Sequence, residues 1–172
     1  MTTVYILPLN NYYDEKILNK ISLRSHQKNP NERVLLSYYS WYMLYLLLLS
    51  NYDYDLTKEN IFYNNDKPYS KNIYFNISHS QSLVAFIVSD HECAIDIECV
   101  NKRKDHKKIS KRIFKKTFTI LKFYKKWTLL ETSFKYHEKK PKIKKSLILK
   151  HNESSNLYVL SYFANSKAKI YW

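Results

Sequence analysis

The 172-residue chain contains no glycine. Backbone positions that need a positive φ must be filled by residues with side chains, and Asn and Asp tolerate that region best. Asn-rich runs such as SNYD (50–53) and YNNDKP (63–68) are expected to take over glycine's role in turns. Cysteine is nearly absent too: only Cys93 and Cys99 occur. On one extended strand they would stand roughly 20 Å apart, whereas a disulfide needs Cα atoms within about 7 Å. They cannot bridge each other there, and a reduced, cytoplasmic protein is expected. Acids are few, 15 Asp and Glu against 29 Lys and Arg, giving a net charge of +14. Arginine, alanine and proline occur four times each, against 25 lysines. Residues with GC-rich codons are thus scarce, and an AT-rich gene accounts for part of the lysine excess without any partner. The opening MTTVYILPLNNYYDEK has no basic start and no long apolar core, so no signal peptide is expected. No long uninterrupted apolar run occurs either. Val34–Leu49 is the most membrane-like stretch, but Ser37, Ser40 and several tyrosines break it. A buried core helix is predicted there, with no membrane partner.

What is present suffices for one substantial domain or two small halves sharing a core: 45% hydrophobic residues, with 17 tyrosines. The apolar helix is predicted to begin with Asn29 as N-cap, Pro30 at the first helical position and Glu32 as capping-box partner. TTVYILPL reads as an opening strand and DEKILNKISLRSHQ as a short helix or turn. DLTKENIFYNNDKPYS reads as a short element and a polar turn. NIYFNIS, SLVAFIVS and CAIDIEC read as strands, and KRKDHKKISKRIFKKTF as a basic amphipathic helix carrying Ile109, Ile113, Phe114 and Phe118 on its apolar side. TILKFYKKWTLLETSFKYHEK reads as a second helix, with Ile120, Phe123, Trp127, Leu130 and Phe134 as its apolar stripe. KSLILKH, NLYVLSYFA and KAKIYW close the chain as strands. The mixed order predicts an α+β fold.

Charge is distributed unevenly. Between Lys102 and Lys126 twelve Lys or Arg face the single acid Asp105. A solvated helix face explains this plainly; a surface for an anionic ligand or acidic partner explains it more pointedly. Against that background CAIDIEC stands out. On a strand Cys93, Ile95, Ile97 and Cys99 face one way, and Ala94, Asp96 and Glu98 the other. The bland reading is a half-exposed strand with a polar outer face. The other is a cation site, because two carboxylates with waters and phosphate oxygens suit Mg²⁺. In WTLLETSFK, Glu131 and Lys135 are four residues apart and share a helix face, either as a surface pair or as a third carboxylate with an ammonium. In FNISHS, Asn76 and Ser78 share a face opposite Phe75 and Ile77, and His79 sits near the strand end.

In combination, DKP (66–68), FNISHS (75–80), AIDIE (94–98) and WTLLETSFK (127–135) resemble the motifs of 4′-phosphopantetheinyl transferases, in the family's order. The resemblance is to the larger, pseudodimeric type that activates surfactin synthetase, and covers roughly 24–135. NERVLLSYYSWYMLYLL matches the family's early helix, with Arg33 at its basic position. FNISHS followed by IDIE carries most of the specificity. The resemblance implies two similar α/β halves in one chain, 1–90 and 91–172, each with a small antiparallel sheet packed on a long helix. It implies a monomer that moves phosphopantetheine from coenzyme A to a serine of an acyl or peptidyl carrier protein. Asp96, Glu98 and Glu131 would then hold Mg²⁺. Glu131 and Lys135 would be catalytic, and Arg33, Lys67, Pro68, Ser78 and His79 would bind coenzyme A. The basic stretch 102–126 would meet an acidic helix of the carrier.

This chain departs from the pattern at Ala94 and Asp66, where the family has Gly, and at Leu130, where it has Lys. Lys126, one turn before Leu130, is the candidate replacement. A Glu that many members carry between the two metal motifs has no counterpart in RIFKKTF (112–118). Two alternatives remain open at the level of sequence: a catalytically impaired homologue that only binds coenzyme A or carrier, and a basic nucleic-acid-binding module with interleaved Tyr and Phe.

Overall fold

Leu83–Ser89, apolar but for its last residue, shows no alternation, the pattern of a strand covered on both faces. In the computed structural model all seven of its residues are buried. The structure describes residues 1–21, 31–64, 67–71, 73–101, 105–136, 141–151 and 156–172, without the side chains of Arg33, Asn64 and Lys67. Its elements are β1 (Thr2–Pro8), α1 (Glu15–Lys20), α2 (Glu32–Tyr52), β2 (Phe62–Asn64), β3 (Lys67–Tyr69), β4 (Tyr74–Ser80), β5 (Leu83–Ser89), β6 (Ala94–Cys99), α3 (His106–Phe114), α4 (Ile120–Lys135), β7 (Ile143–Lys150), β8 (Leu157–Ala164) and β9 (Ala168–Tyr171). The fold is mixed α+β.

One sheet has the order β4-β5-β1-β9 and another β6-β8-β7, with β2 and β3 forming a separate ribbon. β4-β5-β1 and β7-β8-β6 follow the same antiparallel path, each built from a hairpin plus a strand set apart from it in the chain by two helices. β9 joins the first sheet, parallel to β1. Alternation along β5 explains the layering. Leu83, Ala85 and Ile87 meet Ile95, Ile97, Cys99, Tyr158, Leu160 and Tyr162 in a core between the two larger sheets. Val84, Phe86 and Val88 pack under α1 and α2 with Leu44 and Leu48. α4 covers the outer side of β6 and β8 through Phe123, Tyr124 and Tyr136. Each fully buried large apolar side chain contributes roughly 1.5–3 kcal/mol.

Three local expectations are corrected. The N-cap of α2 is Asn31, whose Oδ1 accepts from Val34 N at 3.1 Å. Asn29 and Pro30 lie outside the described residues. Glu32 then falls in the first turn, where it suits the helix dipole. Positive φ is taken by Asp53, as expected, but also by Gln81 and Lys115. Gln81 sits in the tight β4–β5 turn and Lys115 ends α3, so turn geometry overrides a local cost of about 1–2 kcal/mol.

The third correction concerns α4. Its buried face is Phe123, Tyr124, Thr128 and Thr132, while Phe134 is 67% exposed. Thr128 and Thr132 reach Ser161 of β8, at 2.7 Å to its hydroxyl and 3.3 Å to its carbonyl. Ile120, Phe123 and Trp127 of the expected stripe do pack inward, and the satisfied hydroxyls of Thr128 and Thr132 extend that buried face where Phe134 was expected. The helix is rotated accordingly, and Glu131 and Lys135 turn toward β6. α3 matches expectation better: Ile109, Phe114 and Phe118 pack inward, while Ile113 is exposed. Among the described residues no helix is long and apolar enough to cross a membrane. Cys93 and Cys99 are buried, unbridged thiols.

Candidate active site

β4 and β6 are edge strands of different sheets, running side by side in the same direction. Side chains of β4 replace the missing backbone ladder. Asn76 Oδ1 accepts from Ile95 N at 3.1 Å, Ser78 Oγ from Ile97 N at 3.2 Å, and Ser80 Oγ from Cys99 N at 3.0 Å. The edge N–H groups of β6 would otherwise be buried without acceptors. The period-2 run Asn-x-Ser-x-Ser thus matches the period of the strand it joins. The two serines also donate: Ser78 to Asp96 Oδ1 at 3.0 Å and Ser80 to Glu98 Oε2 at 3.1 Å. Each hydroxyl therefore fixes one backbone amide and one carboxylate.

Asp96 is 6% exposed, covered from the other side by the last turn of α4. The bland reading of a half-exposed strand does not hold at this residue. Lys135 Nζ donates to Asp96 Oδ1 at 2.8 Å and to the Ile95 carbonyl at 3.1 Å. Asp96 Oδ2 is buried and has no hydrogen-bond partner among the described residues. Burial pushes the Asp96 carboxyl above its ordinary value, against the opposing pull of Lys135 and Ser78. Glu131 is also raised, first by burial, then by the charge of Asp96, with Lys135 opposing. Two carboxylates that feel each other thus share one ammonium.

The sign of the pH dependence follows. Groups raised in the folded state favour folding below their ordinary values, 3.8 for Asp96 and 4.5 for Glu131. That contribution is lost as pH rises through the raised values. Glu131→Gln is therefore expected to raise the melting temperature in EDTA at pH 7. The advantage should shrink toward pH 4. A lower melting temperature at pH 7 would contradict the arrangement.

The structure brings Ser78, Asp96, Glu131 and Lys135 together, with Glu98 beside them on β6. It does not bring His79 to the same face: by strand alternation His79 shares the side of Phe75 and Ile77, opposite Ser78. Pro68 lies on the β2–β3 ribbon, opposite Tyr63. The side chains of Arg33 and Lys67, and all of Asp66, fall outside the described residues. Lys126 is exposed on α4, and Leu130 is half-buried. Alternation along FNISHS groups Asn76 with Ser78, but neither Ser80 nor the seam with β6 is part of that expectation. The signal was the shared period of Asn-x-Ser-x-Ser and Asp-x-Glu.

Among the described residues no three His, Cys, Asp or Glu side chains are grouped so as to hold a metal ion. Glu98 accepts from Ser80 Oγ at 3.1 Å. The donor set nevertheless fits a hard cation at Asp96, because a buried carboxylate oxygen without a donor is the atom such an ion requires. Glu131, whose carboxyl responds to the charge of Asp96, supplies a second acid. The chain matches no protein-family model, and no curated protein matches it.

Proposed function

We propose that the protein is a 4′-phosphopantetheinyl transferase, moving phosphopantetheine from coenzyme A to a serine of an acyl or peptidyl carrier protein. The observation that carries this reading is the convergence of β4, β6 and α4 on Asp96. Three of the motif runs, FNISHS, AIDIE and WTLLETSFK, meet there through Ser78, Asp96 and Lys135. The repeated path of β4-β5-β1 and β7-β8-β6 supports two similar halves in one chain.

In this reaction the carrier hydroxyl oxygen bonds to the β-phosphorus, the bond from that phosphorus to the bridging oxygen breaks, and 3′,5′-ADP leaves with the electron pair. Asp96 and Glu131, with Glu98 beside them, would hold Mg²⁺, which when bound neutralises diphosphate charge. Lys135 supplies a positive charge at the same place. The hydroxyl proton needs an acceptor, and a carboxylate oxygen of Glu131 that the ion does not engage is the candidate. Ser78 and Ser80 orient the two carboxylates of β6. Arg33, Lys67, Pro68 and His79 would serve the nucleotide end. The exposed cations of α3, Lys107, Lys108, Lys111 and Arg112, would face the acidic carrier and speed encounter.

The test is direct. Purified protein, Mg²⁺, coenzyme A and several apo carriers are incubated, and the carriers are weighed by mass spectrometry. A phosphopantetheine-sized gain on the carrier serine is expected. No gain on any carrier would reject the reading of an active enzyme.

A further inference from the structure

The hydrogen bonds at Asp96 are lopsided. Lys135 Nζ and Ser78 Oγ both reach Oδ1, at 2.8 and 3.0 Å, while Oδ2 is buried with no partner among the described residues. A buried carboxylate is ordinarily stabilised by donors on both oxygens, since an unmet acceptor keeps its desolvation cost. The lysine ammonium carries three donors. Two of its contacts are given to Asp96 Oδ1 and the Ile95 carbonyl, and none to Oδ2. Ser78 is held in place by Ile97 N, so its hydroxyl proton is directed at the same oxygen as the ammonium. One edge of the carboxylate is thus doubly engaged and the other left open.

The balance of charge points the same way. Asp96 and Glu131 place two acids together, and among the described residues Lys135 is the cation that acts on both. Its side chain is 28% exposed, so the ammonium has a path toward solvent that Asp96 lacks.

We infer that Lys135 is a stand-in counter-ion: in the metal-free protein its ammonium neutralises Asp96 through Oδ1 and keeps Oδ2 open, and a divalent cation arriving at Oδ2 competes with it. This rests on the reading of Asp96 as a metal ligand. Two positive charges on one carboxylate repel each other, and in a partly buried site that repulsion is weakly screened. Cation binding therefore weakens the hold of Asp96 on Lys135 and makes the ammonium available to an anionic group. Linkage makes the coupling reciprocal: an anion that draws Lys135 away from Asp96 improves the site for the cation.

The experiment titrates Mg²⁺ alone into metal-stripped protein by calorimetry, for the wild-type chain and Lys135→Met. The variant is expected to bind Mg²⁺ at least about fivefold more tightly, because a neighbouring like charge has gone. Equal or weaker binding by the variant, with Mg²⁺ still bound by the wild type, overturns the inference and leaves the metal reading standing. No binding by either chain removes both.

A second measurement needs no variant and covers the case in which Lys135→Met fails to fold. Wild-type protein is acetylated briefly in EDTA or in saturating Mg²⁺, and modification at Lys135 is read by peptide mass spectrometry. Labelling should rise at least about threefold with Mg²⁺ as the ion pair loosens. An unchanged or lower rate, in protein shown by calorimetry to bind the ion, overturns the inference.

Discussion

Asp96→Asn is expected to lower the proposed phosphopantetheine transfer by more than about a hundredfold while the chain stays folded. Loss of an outer partner of a metal ligand alone reaches ten- to a hundredfold, and here the proposed ligand itself would be lost. The substitution preserves shape. The amide oxygen can still accept from Ser78 and Lys135 at the position of Oδ1. The other atom becomes an NH₂, a donor where an open acceptor stood. It cannot ligate a cation, and the negative charge that balances Lys135 is gone. Burial already opposes ionisation of Asp96, so removing the charge does not by itself unfold the metal-free protein. Carrier mass spectrometry gives the rate and a thermal melt gives the fold. Near-native turnover in a folded variant would sink the assignment of Asp96.

Ser78→Ala is expected to destabilise the protein by about 2–4 kcal/mol, although it removes only one oxygen. That oxygen has two roles. It accepts the Ile97 amide of β6, which has no β-strand partner on that edge, and it donates to Asp96. An unmet buried amide costs about 1–3 kcal/mol, and a hydrogen bond to a charged group contributes about 1.5–3 kcal/mol. The two share an atom and so do not add fully. Urea unfolding with an unchanged slope would measure the loss. Ser80→Ala should lose less, because its bonds are only partly buried. A loss below about 0.5 kcal/mol for Ser78→Ala, the range of an ordinary surface change, would show that the seam does not join the sheets.

The strands around the site were legible because their signals are local. AIDIE alternates, and the structure puts Ile95 and Ile97 in the core with Asp96 on the other face. The unbroken apolar run of β5 announced burial on both sides. The spacing of Glu131 and Lys135 fixed that they share a helix face. Backbone sterics impose these periods whatever the surroundings.

Other features depended on what each face meets. Periodicity cannot say how a helix is rotated against its neighbour. α4 therefore buries Thr128 and Thr132 against Ser161 and leaves Phe134 in solvent. Nor can it say that Asn76, Ser78 and Ser80 will find the bare edge of another sheet's strand, since that edge exists only after both sheets have formed. Composition and spacing determined the α+β class, most element types and the pairing of acids on one side of β6. The tertiary structure decided that Asp96 would be buried, that Lys135 would reach it across 39 residues of sequence, and that both acids would be harder to ionise. The reason is that burial is set by the assembled layers, and the strength of a charge interaction depends on how much water those layers exclude.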